Sequence, residues 1–153
     1  MHIDKDELMK QRDLSQPQFC ACANLRMASR AVTQFYDEIL KPAGLRATQF
    51  ALLSALLQVD QIAITELAER LVMDRTTLTR NLEPLEQKKL IDIYPGEDRR
   101  IRLVNLTERG RQALAKATPL WQQAQSQVTQ ALGEDRSNSL LDNLLEMVAL
   151  THQ

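Results

Sequence analysis

Two short stretches of helical periodicity lie almost end to end in this chain, "AITELAERL" at 63–71 and "DRTTLTRNLEPLEQ" at 74–87, with only Val72 and Met73 between them. In the first, Ile64, Leu67, Ala68 and Leu71 recur at helical spacing; in the second, Leu78, Leu82 and Leu85 form one stripe. Two short helices meeting through so tight a turn describe a helix-turn-helix. Asp74 suits an N-cap, because its carboxylate can accept the orphan amide hydrogens of the first helical turn. Arg75, Thr76, Thr79, Arg80 and Glu83 fall away from the leucine stripe, so hydroxyl and guanidinium groups crowd the outer face of the second helix near its N-terminus. In a helix-turn-helix that half is the part that meets base edges. Pro84 removes an amide and is expected to bend the helix's C-terminal half.

The flanking sequence extends this unit. Beyond Lys89 the period changes: "LIDIY" and "IRLVNL" alternate, and "PGEDRR" between them is turn-rich and charged, which predicts a hairpin with an arginine-loaded tip. Thr107-Glu108-Arg109-Gly110 reads as a helix start, leading into "RQALAKATPLWQQAQSQVTQAL", where Pro119 is expected to bend the helix and Gly133 to end it. The closing "SNSLLDNLLEMVAL" carries Leu140, Leu141, Leu144, Leu145 and Val148 on a stripe that calls for a partner. Before the helix-turn-helix, Ser15-Gln16-Pro17 opens a long helical pattern through Leu40, stopped by "KPAGL", and "TQFALLSALLQV" from Thr48 forms a mostly buried helix. The tail ahead of Ser15 is polar and expected to fray. At 153 residues the chain fits a single folded unit.

Charge is unevenly placed. The net charge is −1, but residues 75–111 hold 9 Lys/Arg against 6 Asp/Glu, while the segments on either side are each net acidic. A local basic surface on a mildly acidic protein is what a reader of nucleic acid needs, since phosphate attraction depends on the patch rather than the total. The longest apolar run, "FALLSALL" at 50–57, is too short to span a bilayer, and the charged opening "MHIDKDELMK" lacks a signal-peptide core. The reading is a cytoplasmic protein with reduced thiols and no membrane partner.

The ordered set "ITELAERL", "DRTTLTRNLEPLE", "KKLI", "DRR" and "LTERG", with two helices before it and two after, closely resembles the MarR family of transcriptional regulators over about the whole chain. The resemblance implies a mainly α fold with a small β-hairpin wing, in which a winged helix-turn-helix core is flanked by N- and C-terminal dimerisation helices. Within a single subunit spanning 1–153, residues 46–111 correspond to the DNA-binding region, and 16–45 with 112–153 to the dimerisation helices. The implied activity is that of a homodimeric repressor that binds double-stranded DNA at a pseudo-palindromic operator and is released by a small-molecule or oxidant signal. Carried over by position, Arg75, Thr76, Thr77, Thr79 and Arg80 face the major groove; Asp98, Arg99 and Arg100 form the wing motif, with Asp98 holding the loop and Arg100 entering the minor groove. The leucine stripe of the last helix, with Trp121 upstream, and the apolar face of the first helix offer the surface a second copy would cover.

Some members of the family respond to small aromatic acids and some to oxidants through a cysteine in the first helix. Cys20 and Cys22 fall there in this chain. On a continuous helix, positions i and i+2 point to nearly opposite sides, so the two could not pair without unwinding it. Three roles stay open for them: filling a core, sensing oxidants, or contributing to a soft-metal site with further ligands. Catalysis is not expected. The only histidines are His2 and His152 near the ends, and four scattered glycines offer no phosphate-cradling loop, so no catalytic residue, cofactor or metal site is assigned. The competing function is a dimeric winged-helix adaptor without DNA binding; the presence of Arg75, Arg80, Asp98 and Arg100 argues against it.

Overall fold

The computed structural model of the chain describes residues 12–151. Most of the tail ahead of Ser15 that was expected to fray, residues 1–11, and both His2 and His152 lie outside them. Two compact units divide the chain after Gln34.

Up to Gln34, the described residues form a single 3-10 turn, Pro17–Phe19, and the first part of helix α1 (Ala21–Leu40). The unbroken helix expected from Ser15 is interrupted at Cys20, whose ψ of 118° leaves the helical region. Asn24 explains how the break is tolerated. Its backbone N–H donates to the Cys20 carbonyl (3.0 Å), and its side-chain Nδ2 donates both to that carbonyl (2.9 Å) and to the Gln18 carbonyl (3.2 Å). The Gln18 carbonyl, left without a helical donor by the break, therefore finds a partner.

From Phe35 onward, α1 ends at the buried Leu40, and Gly44 takes the left-handed conformation (φ 73°) that turns the chain into α2 (Ala47–Leu57). Two side chains cap that helix: Asp37 Oδ1 accepts from the Ala47 N–H at 2.7 Å, and Gln49 Oε1 from the Arg46 N–H at 3.0 Å. After α2 come β1 (Ile62–Ala63), α3 (Ile64–Arg70), α4 (Arg75–Gln87), β2 (Ile91–Pro95), β3 (Arg102–Leu106), α5 (Glu108–Leu132) and α6 (Glu134–Leu150). The expected hairpin is present, with Ile91 opposite Leu106 and Pro95 opposite Arg102. A third strand was not foreseen. β1 pairs antiparallel with β3 on its other side, Ile62 opposite Val104, giving the order β1-β3-β2.

The core lies where the stripes predict it. Leu78, Leu82 and Leu85 of α4 are fully buried, together with Leu67 of α3, Leu53 and Leu56 of α2, and Val104 of the sheet, and Ile64 of α3 is buried beside them. Trp121, read from the sequence as part of an open apolar surface, instead packs on this core and stacks on Phe50, ring centroids 5.7 Å apart and 12° from parallel. Helix α5 runs through Pro119 without a break; the missing amide takes the usual helical donor from the carbonyl of Ala115, an exposed residue. Gly133 (φ 83°) ends α5 as expected, but α6 starts at Glu134 rather than Ser137, with two carboxylates in a first turn whose dipole favours them. Among the described residues, no helix is long and apolar enough to cross a membrane, and no three His, Cys, Asp or Glu are grouped as a metal site.

Candidate nucleic-acid interface

The turn between α3 and α4 is a Schellman motif. Val72 N–H donates to the Glu69 carbonyl (3.2 Å) and Met73 N–H to the Ala68 carbonyl (2.9 Å), with Val72 itself in the left-handed region at φ 53°. A second one closes α4: Lys89 N–H donates to the Glu86 carbonyl, Leu90 N–H to the Leu85 carbonyl, and Lys89 sits at φ 60°. Neither left-handed position is a glycine, so sequence rules for helix ends pass over both.

Asp74 caps α4 as expected. Its Oδ1 accepts from the Thr77 N–H at 2.9 Å, and its other oxygen accepts from the Thr77 hydroxyl. These bonds, the hydroxyl's first and then the amide's, hold the Asp74 carboxyl below its usual pKa, helped by the nearby Arg80 charge. Thr77 is thereby tied to the cap, which separates it from the other residues assigned to the groove. Thr79 donates its hydroxyl proton to the Arg75 carbonyl at 2.8 Å. Arg75, Thr76, Thr79 and Arg80 are all exposed, and among the described residues neither arginine takes part in an ion pair. The one ion pair of α3, Glu66 with Arg70 at 2.7 Å, lies on that helix's own surface. Pro84 does not disturb the reading half: Leu82 and Leu85 on either side of it stay buried and α4 continues to Gln87.

The wing tip is built around Asp98. Its Oδ1 accepts from the Arg100 backbone N–H (3.1 Å) and Nε (3.2 Å), and its Oδ2 from a terminal guanidinium nitrogen of Arg100 (3.1 Å). The Arg100 side chain, and next the Arg100 amide, lower the Asp98 pKa. Two backbone bonds close the loop behind it, Ile101 N–H to the Asp98 carbonyl at 2.9 Å and Gly96 N–H to the Ile101 carbonyl at 2.8 Å. Arg100 remains 91% exposed. A guanidinium has five N–H donors, so with two of them on Asp98 most of its hydrogen-bonding capacity stays outward. Arg99 is also exposed. One support was missed on the sequence: the Tyr94 hydroxyl of β2 donates to Gln61 Oε1, tying the wing to the segment before β1.

The two thiols belong to the first unit. Cys20 precedes α1 and Cys22 is in its first turn, so the opposite-sides geometry expected of a continuous helix does not apply to them. Both are exposed and unbonded, which removes the core-filling role within this chain.

The family model for the MarR family matches residues 45–101, the span from the α1–α2 turn to the wing. The transcriptional regulator SarZ of Staphylococcus epidermidis is 30% identical over 112 residues, 72% of this chain and 70% of that protein. The organic hydroperoxide resistance transcriptional regulator of Bacillus subtilis is 31% identical over 65% of this chain and 68% of its own. Among solved structures, the M. tuberculosis regulator MosR in complex with DNA is 38% identical with a TM-score of 0.77, covering 88% of this chain and 99% of that one. A mutant MarR from E. coli complexed with operator DNA is 28% identical with a TM-score of 0.72, over 82% of this chain and 91% of its own. These relatives are regulators rather than enzymes. With the helix-turn-helix, the wing and these similarities together, the chain belongs to the MarR family of winged helix-turn-helix transcriptional regulators.

Proposed function

We propose that the chain works in the cytoplasm as a homodimeric repressor that binds a pseudo-palindromic operator and leaves it in response to an oxidant or a small aromatic ligand. One observation carries the DNA-binding reading: the outer face of α4 and the wing tip present unpaired or outward-facing guanidinium groups, Arg75 and Arg80 on one and Arg99 and Arg100 on the other, each set on a backbone fixed by an aspartate. Asp74 fixes the start of the reading helix, and Asp98 fixes the wing. Arginine can bond guanine bidentately in the major groove, and a wing arginine suits the negative potential of a narrow minor groove. MosR and a mutant MarR, both solved in complex with DNA, support the DNA-binding reading.

The homodimer is supported by apolar side chains without partners in the chain alone. Leu141, Leu145 and Leu150 of α6 are 53%, 68% and 69% exposed, and Met27 and Val32 of α1 are exposed as well. Selection of random duplexes by the purified protein tests the whole reading. The expected product is a near-palindrome with half-sites about one helical turn apart, bound by two chains. Recovery of no enriched sequence overturns it.

For release, the exposed thiols favour an oxidant, and the Bacillus subtilis relative is named for organic hydroperoxide resistance. A thiolate of Cys20 or Cys22 attacks the peroxide oxygen and the alcohol departs, leaving a sulfenic acid; a second thiol then condenses with it to a disulfide and water. Dilute organic hydroperoxide is expected to abolish the electrophoretic shift, and dithiothreitol to restore it, in the wild type. At least one of Cys20→Ser and Cys22→Ser is expected to resist the oxidant. Wild-type binding that survives oxidant unchanged eliminates the thiol route and leaves the aromatic ligand.

A further inference from the structure

We infer that Thr79 reads the 5-methyl group of a thymine, through its own γ-methyl, while its hydroxyl serves the helix. The inference rests on the DNA-binding reading above and sharpens it at one residue. Three threonines stand in the first half of α4, and their hydroxyls differ. Thr77 gives its proton to Asp74, the cap. Thr79 gives its proton to the Arg75 carbonyl one turn back, at 2.8 Å. Thr76 alone has no hydrogen-bond partner for its hydroxyl among the described residues, although it is exposed.

A hydroxyl has one proton to donate. Phosphate oxygens, guanine N7 and O6, adenine N7 and thymine O4 are all acceptors, so a hydroxyl engaged with Arg75 has nothing to offer them. With Oγ1 turned back against the helix, the Cγ2 methyl is the remaining group on Cβ able to face the groove. A threonine so held presents an apolar tip, and the one methyl group that unmodified bases offer in the major groove is that on thymine C5. Residues at i and i+4 on a helix are about 5–6 Å apart, against about 3.4 Å between stacked bases, which puts that thymine within about two base pairs of the base met by Arg75. Thr76 is left as the donor to a phosphate or base acceptor.

Deoxyuridine isolates the claim, because it pairs as thymine does and lacks only the methyl. In the duplex enriched by selection, each thymine is replaced in turn, and binding is measured by fluorescence anisotropy for the wild type, Thr79→Ser and Thr79→Val. At one thymine per half-site, removal of the methyl is expected to weaken wild-type binding about fourfold, the loss of roughly one methyl-sized apolar contact. Thr79→Ser, which keeps the hydroxyl, is expected to bind the thymine duplex about fourfold more weakly and to ignore the replacement. Thr79→Val, which keeps the methyl, is expected to bind and discriminate as the wild type does. The inference is overturned if no thymine is sensitive in the wild type, if Thr79→Ser remains sensitive, or if Thr79→Val loses binding while Thr79→Ser retains it. Failure of the wild type to enrich any duplex is a different result, since it removes the DNA-binding reading itself.

Discussion

Val72 pays a conformational cost at the turn of the helix-turn-helix. It is β-branched, half-exposed and held at φ 53°, where L-residues other than glycine are strained by about 1–2 kcal/mol. Val72→Gly is therefore expected to raise the unfolding free energy by about 1 kcal/mol, read as an increased denaturation midpoint at unchanged slope. A decrease would show that the exposed valine side chain contributes more than its backbone costs. Asp74 and Asp98 make the protein sensitive to acid. Each carboxyl is held below its usual pKa in the folded chain, so its stabilising contribution is complete above the unfolded value of about 3.9 and is lost as pH falls through the lower folded value. Thermal stability should fall on acidification below about pH 4, and Asp74→Asn should flatten the part of that fall due to the cap. On the DNA side, Arg80→Ala is expected to lower specific affinity by about 1–3 kcal/mol and to relax preference at some base positions, whereas Lys89→Ala, beyond the end of α4, changes little. Equal losses from both variants on every sequence would take Arg80 out of the groove.

At the scale of elements, the start of α5 is tied to the short segment between α4 and β2. Thr107 caps α5 by accepting from the Gly110 N–H at 3.0 Å, and its hydroxyl donates to the Lys89 carbonyl at 2.7 Å, while the Thr107 N–H donates to the Leu90 carbonyl at 3.1 Å. Gly110 is needed because the backbone of Leu90 passes over it: a Cβ there would lie 2.1 Å from the Leu90 carbonyl oxygen and 2.7 Å from Leu106 Cδ1. Gly110→Ala is expected to destabilise the fold by about 1–3 kcal/mol or more, and Thr107→Ala by about 1–2 kcal/mol, both measurable by urea denaturation. Most of this level was legible in the chain itself. The leucine spacing of α4, the acid at its N-cap, the alternation of β2 and β3 and the "LTERG" start of α5 are local signals, and each element forms where they put it. What escaped depends on groups that meet only after folding. β1 is two residues long and exists through its pairing with β3; the break at Cys20 depends on an Asn24 side chain folding back; and the orientation of Thr79 is a choice between rotamers that periodicity cannot report. Thr77 was assigned to the groove by its place in the motif, although a hydroxyl three residues after a capping aspartate is well placed to be drawn into the cap.

Across the whole molecule, the distribution of apolar surface argues for assembly more strongly than any single residue does. The described chain buries every leucine of α2, α3 and α4 except Leu57 at the end of α2, yet no residue of α6 is buried, even though that helix carries Leu140, Leu141, Leu145 and Val148 along one stripe. A stripe of that width on a 17-residue helix is the pattern of a helix that meets a partner, and the proposed partner is a second copy. A two-fold dimer also supplies what a palindromic operator demands, two recognition helices at a fixed separation. Leu141→Glu and Leu145→Glu should each leave the winged helix folded, because neither side chain touches the buried core, and should shift the sedimenting species from dimer to monomer. The monomer keeps one half-site's contacts but loses the effective concentration that joins two, so affinity for the full operator should fall by about a hundredfold or more while affinity for an isolated half-site changes little. The two measurements separate the causes. If sedimentation is unchanged by both substitutions, α6 is an ordinary solvated surface and the dimer must be built elsewhere; if the half-site affinity falls together with the full-site affinity, the substitutions have damaged the reading head rather than the pairing of two copies.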